Sequence, residues 1–207
     1  MDIILNTHFN NPNLPVVPLP GFYDDFTGGG GDYYTLGVTH ENKPWDYMGG
    51  IGWYQRSDDT ATGAGYVGDQ RRSELAVVNG HASHGALTAQ IALASVQDNR
   101  YGLAVRVTDN QNFIYIAQNS IASAINVYER VGGNATVIAQ ANGATLNDGD
   151  VLEVRFLNDQ IEVRLNSATI MTATSNLNVN ATHHGFFNWS SDTTGVANPR
   201  WDWIRFE

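Results

Sequence analysis

Residues 149–166, GDVLEVRFLNDQIEVRLN, alternate apolar and charged side chains on both sides of Asn158 and Asp159. Asn and Asp tolerate the positive φ of a two-residue hairpin turn, so the stretch predicts two antiparallel strands joined at this pair. The turn fixes the register. The predicted apolar pairs are Phe156 with Ile161, Val154 with Val163 and Leu152 with Leu165, and the charged pairs are Arg155 with Glu162 and Glu153 with Arg164. Such a half-buried hairpin must belong to a larger sheet.

The same short-period alternation recurs along most of the chain. RYGLAVRVTDNQNFIYIAQN, INVYERVGGNATVIAQA and LTAQIALAS read as strands separated by Gly-, Asn- and Asp-rich turns, and no amphipathic helix of three turns interrupts them. In the closing segment RWDWIRFE, Trp201, Trp203 and, less regularly, Arg205 alternate with Asp202, Ile204 and Phe206, which predicts a strand with Trp201 and Trp203 on one face. The sequence therefore predicts an all-β fold of two packed antiparallel sheets.

The first residues differ from the rest. Residues 1–21 are rich in Asn and Pro, and prolines favour an extended polyproline II conformation and cannot donate to a central ladder. We expect an extended N-terminal arm, residues 1–21, followed by one sandwich domain, residues 22–207. The arm is either a frayed terminus or a segment that docks on a neighbouring subunit through Val16, Val17 and Leu19. Its acidic start and short apolar run are not typical of a secretory signal.

The charge balance argues against two classes of partner. The chain has 21 acidic and 11 basic residues, for a formal net charge of −10. Such a surface repels a phosphate backbone, and the scattered arginines form no basic cluster that would favour an anionic membrane. The sequence predicts neither a nucleic-acid partner nor a membrane partner. It contains no cysteine, which excludes disulfides and thiolate metal sites.

The order of the motifs YDDFTG, RYGLAVRVTDNQNFIYIA, INVYERVGG, LNDGDVLEVRFLNDQIEVRLN, HHGFFNW and WDWIRFE resembles the concanavalin A-like lectin/glucanase superfamily. It is especially similar to the laminin-G-like modules of phage structural proteins and of bacterial polysaccharide-active proteins. The resemblance covers residues 22–207 and implies a jelly-roll sandwich whose concave sheet often holds glycan. Residues 45–80 depart most from the pattern.

The catalytic motifs of the superfamily are incomplete. Glycosidases of this fold carry paired carboxylates on one strand in a Glu-x-Asp pattern, and this pattern is missing from the sequence. Alginate-type lyases carry Arg-x-Glu-Leu, which matches Arg72 and Glu74, and Gln-x-His, in which Ala92 replaces the histidine. We predict no catalytic residues. The alternative is a polysaccharide lyase or glycoside hydrolase with a divergent site around Arg72, Glu74 and Tyr115.

Aromatic residues give the stronger signal. PWDYMGGIGWYQRSDD places four rings between Gly-rich turns, in a mixture with polar groups that suits stacking on sugar rings. Because alternate strand residues face inward, we predict that Trp45 and Trp53 are buried. The predicted glycan-binding residues are Tyr47, Tyr54, Tyr66, Arg72, Glu74, Tyr128 and Trp189.

Metal sites are predicted to be absent. The histidine pairs His81/His84 and His183/His184 are far apart in sequence and lack a helix to align them. Ca²⁺ is the one cofactor kept as an alternative, with oxygen ligands from Asp24, Asp25, Asp148 and Asp150, although turn hydrogen bonding also explains these residues.

A lectin-like fold without an export signal or a catalytic motif, preceded by a Pro-rich arm, favours a phage virion-surface protein. We expect a capsid decoration protein or a tail or fibre subunit, made in the host cytoplasm and located on the virion. The expected partners are other virion proteins, further copies of the chain and a cell-surface glycan.

Overall fold

The computed structural model describes residues 21–27, 34–48, 53–56, 58–63, 73–94, 99–119, 123–190 and 199–207. Sixteen β-strands and no helix lie within these ranges, so the described chain contains no helix that could cross a membrane. The strands are β1 (Phe22–Asp24), β2 (Tyr34–Thr35), β3 (Asp46–Met48), β4 (Trp53–Gln55), β5 (Ala61–Gly63), β6 (Ser73–Asn79), β7 (Gly85–Leu93), β8 (Asn99–Asp109), β9 (Asn112–Asn119), β10 (Ala124–Val131), β11 (Asn134–Asn142), β12 (Val151–Leu157), β13 (Gln160–Leu165), β14 (Ala168–Thr174), β15 (His183–Ser190) and β16 (Arg200–Phe206). The arm residues Val16, Val17 and Leu19 lie outside the described residues.

The strands form two antiparallel sheets. The nine-stranded sheet has the order β14-β13-β12-β7-β16-β5-β4-β2, and β1 also pairs with β16. The seven-stranded sheet has the order β11-β10-β9-β8-β15-β6-β3. Strands that follow each other in sequence, such as β12 and β13 of the nine-stranded sheet, pair directly. In the seven-stranded sheet β15 lies between β8 and β6, so this sheet also depends on pairs that are distant in sequence. This confirms the predicted all-β jelly-roll sandwich.

Aromatic rings fill the centre of the space between the sheets. Phe186 stacks on Trp53 at a centroid distance of 4.9 Å and on Trp45 at 5.7 Å, and it contacts Trp201 at 5.1 Å. All four residues are buried, as predicted for Trp45 and Trp53. Rings of this size remove much apolar surface from water, and Phe186 of one sheet contacts Trp53 and Trp201 of the other, so this cluster joins the two sheets.

The hairpin of β12 and β13 has the predicted register, including all three apolar pairs. Asn158 takes the positive φ of 52° that the turn requires. The charged pairs also have the predicted register, with Arg155 opposite Glu162 and Glu153 opposite Arg164. The salt bridge of Arg155 is nevertheless with Glu153 of its own strand, with Nε 2.8 Å from Oε1. The carboxylate of Glu153 also accepts from Arg164, at 3.2 Å. Glu153, rather than Glu162, is therefore the nearer acidic partner of both Arg155 and Arg164. Since these groups are partly exposed, each pair contributes little to stability.

The predicted alternation of the last strand is wrong. Trp201, Ile204 and Phe206 are all buried, whereas Trp203 is only partly buried. The pairing of β16 with β7 shifts register between Trp201 and Trp203, and this irregularity reverses the inward phase of the strand. Trp203 instead donates its ring N–H to Gln90 Oε1 at 2.7 Å.

His184 is fully buried next to the core. Its Nδ1 accepts the backbone N–H of Arg106 at 3.2 Å, and its Nε2 lies 2.9 Å from the Ala82 carbonyl. The ring also packs against Phe156 and Phe206 at 4.8 and 4.6 Å. Both nitrogens therefore have protein partners, and the neutral ring carries its proton on Nε2. This arrangement explains the buried histidine without a metal.

Burial lowers the pKa of His184 from its ordinary value of 6.5 to about 4. Between pH 6.5 and pH 4 the unfolded chain binds a proton at His184 that the folded chain does not bind. The contribution of neutral His184 to the stability of the folded state is therefore complete above pH 6.5 and is lost as the pH falls towards 4. We expect the stability difference between the wild type and His184→Gln to shrink by up to about 1.4 kcal/mol per pH unit in this window. Urea unfolding at pH 7 and pH 5 measures it, with His81→Gln as the exposed control. A His184 imidazole that titrates near pH 6.5 by NMR would contradict this account.

Candidate functional site

The outer face of the seven-stranded sheet carries a second aromatic cluster, on the side away from the core between the sheets. We call it the aromatic face. It consists of Phe113, Tyr115, Tyr128, Phe187 and Trp189, together with Arg100 and Arg130. The register explains its position, because Tyr115 of β9 pairs with Tyr128 of β10 and Phe187 of β15 pairs with Gly102 of β8.

Small residues on β8 make room for these rings. Gly102 pairs with Ala117 of β9, and Ala104 pairs with Tyr115 of the same strand. Since neither Gly102 nor Ala104 projects a large side chain, rings from the flanking strands can meet over β8. Tyr115 and Phe187 do so with a centroid distance of 4.1 Å. The aromatic face is therefore built from β8, β9, β10 and β15 together.

The rings form one contiguous cluster, stacked at Tyr115 and tilted at Phe113. Tyr115 lies parallel to Tyr128 at 4.5 Å, with an interplanar angle of 8°. Phe113 contacts Tyr115 at 5.5 Å and Phe187 at 5.9 Å. These four rings are buried, and Trp189 is partly buried beside them. The four buried rings thus form the floor of the aromatic face, and Trp189 is the ring of the cluster that reaches solvent.

Two guanidiniums lie over this floor. The Arg100 Cζ is 5.2 Å from the centre of the Trp189 ring and 5.6 Å from that of Tyr128. The Arg130 Cζ is 5.5 Å from the centre of the Phe113 ring. Within about 6 Å a cation is attracted to the ring face, so these contacts hold both side chains in place.

A cavity of about 190 Å³ lies between the two guanidiniums. The rings of Tyr115, Phe187 and Trp189 line it, together with Gly133 of the turn between β10 and β11 and Ala135 of β11. No carboxylate is found among the described lining residues. The cavity therefore combines apolar ring surface with two guanidiniums in a chain of net charge −10.

Burial raises the pKa of Tyr115 to about 12, and the neighbouring Tyr128 adds to this rise while Arg100 and Arg130 oppose it. The hydroxyl therefore stays protonated near neutral pH. A protonated phenol can donate a hydrogen bond to a ligand but does not act as a general base. Arg100 and Tyr115 together present donors to an oxygen-rich ligand.

The structure divides the predicted glycan-binding residues. Tyr128 and Trp189 lie together on the aromatic face, but Tyr128 is buried beneath Arg100. Tyr47 is 37% exposed and lies elsewhere: it pairs with Ala76 of the inter-sheet core, and its hydroxyl accepts from the Leu36 N–H at 2.7 Å.

The other four predicted residues have no described side chains. Tyr54 lies in β4, and Glu74 lies in β6, where it pairs with Asn188; only their backbone is described. Tyr66 and Arg72 lie outside the described residues.

The four aspartates considered for Ca²⁺ form two separate groups. Asp24 accepts from Phe26 N at 2.9 Å and from Trp45 Nε1 at 2.8 Å, and burial raises its pKa. Asp25 accepts from Thr27, and His40 Nε2 lies 2.9 Å from Asp25 Oδ1. Ligand atoms of Asp24, Asp25 and His40 lie within 4.8 Å of one another. Their hydrogen bonds are those of turns and of a buried indole.

The second group stabilises the loop before β12. Asp148 accepts from Ala94 N at 2.7 Å. Asp150 accepts from Asn147 N at 2.8 Å and from Asn166 Nδ2 at 2.7 Å. These contacts are typical of loop aspartates.

Sequence reasoning missed Arg100, Arg130, Phe113 and Phe187. One local signal was present: Arg100 precedes Gly102 and Ala104 at a spacing of two, which puts a guanidinium and two small residues on one strand face. Which rings would cover those small residues depends on the neighbours of β8, and the sequence does not give them.

No protein-family model and no curated protein sequence matches the chain. Solved structures do match. A carbohydrate-binding module, CBM66 from Bacillus subtilis, matches with a TM-score of 0.55 and 13% identity over 79% of this chain and 95% of its own. The β-glucanase of Bacillus licheniformis matches with a TM-score of 0.58 and 11% identity over 90% and 97%. LamAcat from Zobellia galactanivorans matches with a TM-score of 0.56 and 12% identity over 91% and 97%. At these identities the likeness concerns the fold.

Proposed function

We propose that the chain, which has the concanavalin A-like jelly-roll fold, binds glycans at the aromatic face. The observation that carries the proposal is the cavity between Arg100 and Arg130, with Trp189 at its side. A partly exposed indole offers a flat apolar surface to a sugar ring, and a guanidinium fixed over it donates to ring substituents.

The guanidiniums favour a sugar that bears a carboxylate. A guanidinium presents two parallel N–H groups that match the two oxygens of a carboxylate, and such charge-assisted bonds are about twice as strong as neutral ones. Arg100 and Arg130 both line the cavity, and the Tyr115 hydroxyl adds a neutral donor. We therefore expect polymers of uronic acids to bind better than neutral glucans.

Hydrolysis fits the cavity less well. A retaining glycosidase needs two carboxyl groups about 5–5.5 Å apart, one of them protonated. The described lining has no carboxylate, and Tyr115 is protonated at neutral pH. The alternative remains a divergent lyase or hydrolase that uses Arg72, Glu74 and Tyr115, and an assay for products distinguishes it from binding.

The biological setting that we propose is a phage virion surface, as a capsid decoration protein or a tail or fibre subunit. The support comes from the sequence: the resemblance to laminin-G-like modules of phage structural proteins, and a Pro-rich leading segment ahead of the domain. Glycan binding at the aromatic face would then serve attachment to a cell surface.

A glycan panel tests the proposal. The full chain is run through native gels that contain alginate, polygalacturonate, laminarin or mixed-linkage glucan, and the same mixtures are assayed for reducing ends and unsaturated products. We expect retardation by at least one uronate polymer, weaker retardation by the neutral glucans, and no products. Retardation by none of the polymers would refute the proposal, and product formation that is lost in Glu74→Gln would replace it by the enzyme alternative.

A further inference from the structure

The edge strands β11 and β14 lie next to each other on one side of the sandwich. β11 ends the seven-stranded sheet and β14 ends the nine-stranded sheet, and among the described residues each pairs with a single neighbour, β10 or β13. Most residues of both strands are exposed. One row of backbone N–H and C=O groups on each strand therefore faces outward, and such a row is a template for a further strand. We call this surface the open side.

The open side lacks the residues that usually protect an edge strand. Charged side chains, above all lysine, and prolines prevent edge-to-edge pairing in natural sheets. β11, NATVIAQAN, and β14, ATIMTAT, contain neither. β9 also lacks charged residues, but it is buried, so their absence is expected there. Burial gives no such reason for β11 and β14, which points to a surface that a partner covers.

The charge of the chain favours a second copy as this partner. β10 and β13, the strands next to the edges, carry one glutamate and one arginine each: Glu129 with Arg130, and Glu162 with Arg164. These four strands therefore have no net charge, and the net charge of −10 comes from the rest of the chain. Two copies repel each other least when their open sides meet.

A bulge in β11 restricts how two copies can pair. Where the register with β10 shifts, Ile138 is the extra residue, and Ile138 and Ala139 both pack against the core between the sheets. Their neighbours Val137 and Gln140 therefore point to the outer face. Antiparallel strands bring side chains of the same face opposite each other. A twofold axis between Ile138 and Ala139 satisfies this condition and places Val137 of one copy opposite Gln140 of the other.

The dimensions of the open side suit a reversible dimer. The nine residues of β11 are about 30 Å long at about 3.4 Å each, and two sheets about 10 Å apart are about 20 Å thick with their outer side chains. Side-by-side contact then covers about 600 Å² on each copy, or about 1,200 Å² in total, at the lower end of the range for specific interfaces. Such a dimer dissociates on dilution, so unfolding measurements on dilute protein report on the single chain.

We propose that two copies of the chain form a dimer through the open side, with β11 of one copy antiparallel to β11 of the other. The pairing satisfies the outward backbone groups of both strands and joins the two seven-stranded sheets into one. It does not involve residues 1–21, through which the sequence suggested contact with a neighbouring subunit.

The dimer places both aromatic faces on the same surface of the joined sheet. Ala135 lines the cavity of the aromatic face, and in this register Asn142 of the partner subunit lies opposite Ala135. Two cavities on one surface can engage one polymer, which raises the avidity for a polysaccharide above that for a short oligomer. This consequence rests on the proposed glycan binding, whereas the dimer itself does not.

Charge reversal tests the interface and its register together. In Val137→Lys/Gln140→Lys each added lysine faces a lysine across the twofold axis, and in Val137→Glu/Gln140→Glu each glutamate faces a glutamate. An equimolar mixture of the two double variants sets lysine opposite glutamate. The neighbours of both positions on β10, Tyr128 and Asn126, are uncharged. The changes therefore act on the contact between copies rather than on a charge of the adjacent strand.

Sedimentation equilibrium over a dilution series measures the mass of the full chain. The matched control is Val38→Lys/His84→Lys, which adds two lysines at exposed positions outside the open side. We expect the wild type and this control to approach 2 × 22.6 = 45.2 kDa as the concentration rises. Each double variant of β11 alone is expected to have a dissociation constant at least about tenfold higher, and their mixture is expected to recover the mass of the wild type.

Three results would overturn the proposal: a wild type that stays at 22.6 kDa up to its solubility limit, double variants of β11 that associate like the wild type, or a mixture no heavier than its components. Circular dichroism of each double variant checks that it is folded, and recovery in the mixture excludes unfolding as the cause of dissociation. Since the mass is measured without glycan, a failure here and a failure of the proposed function are distinguishable.

Discussion

Replacing Phe186 by alanine is expected to destabilise the folded chain by about 4 kcal/mol, because a large buried ring is removed from the centre of a packed core. Phe186 is fully buried and contacts Trp45, Trp53 and Trp201 at centroid distances of 5.7, 4.9 and 5.1 Å. Its loss leaves a cavity on which three indoles border, and rigid rings collapse poorly into such a space. Urea unfolding followed by tryptophan fluorescence measures the change.

The control for Phe186→Ala is Val137→Ala, at a position that is 46% exposed on β11. Its expected effect is within about 0.5 kcal/mol of zero. A Phe186→Ala protein that unfolds at the same urea concentration as this control would contradict the placement of Phe186 in the core between the two sheets.

The largest effect is expected from Gly102→Ala. A Cβ at this position would lie 1.8 Å from the Ile116 carbonyl oxygen and 2.9 Å from the Ala117 Cα, which are backbone atoms of the paired strand β9. No rotamer change relieves a clash between backbone atoms, so β8 and β9 would have to separate in the middle of the seven-stranded sheet. We expect this variant to lose cooperative unfolding or to be recovered only as aggregate.

Gly37→Ala is the matched control for Gly102→Ala. Gly37 has a φ of +68° and no atom within 4 Å of an added Cβ, so the cost is limited to the left-handed backbone conformation, about 1–2 kcal/mol. Circular dichroism and thermal unfolding compare the two variants. A Gly102→Ala protein as stable as Gly37→Ala would show that β8 and β9 are not as close as described.

The sequence predicted best what is encoded locally. The β12–β13 register follows from one turn at Asn158 and Asp159, and it is confirmed for every predicted pair. The register did not give the salt bridge of Arg155, which is with Glu153, because an exposed guanidinium can reach a carboxylate of its own strand as easily as one across the ladder. The phase of β16 was wrong, because a register shift near Trp201 is set by its contacts with β7 rather than by its own residues.

The candidate site depends on contacts that the sequence does not reveal. Tyr128 and Trp189 were predicted individually, but they share one guanidinium, that of Arg100, only because β15 pairs with β8 and β10 pairs with β9. The strand order thus determines which rings lie over Gly102 and Ala104. Local alternation identified the strands and which residues of one strand share a face. It did not identify the neighbouring strands whose side chains complete the cavity.

We propose that the aromatic face binds glycan through Arg100 and Trp189. Isothermal titration of the best uronate oligomer from the panel tests this, using Arg100→Ala and Trp189→Ala, with Arg205→Ala as the control. Arg205 is an exposed guanidinium of β16 in the other sheet. We predict that each of the first two changes weakens binding at least about tenfold, since each removes a charge-assisted bond or a stacking surface, while the control binds like the wild type. Folded Arg100→Ala and Trp189→Ala proteins that bind as tightly as the wild type would refute glycan binding at this face.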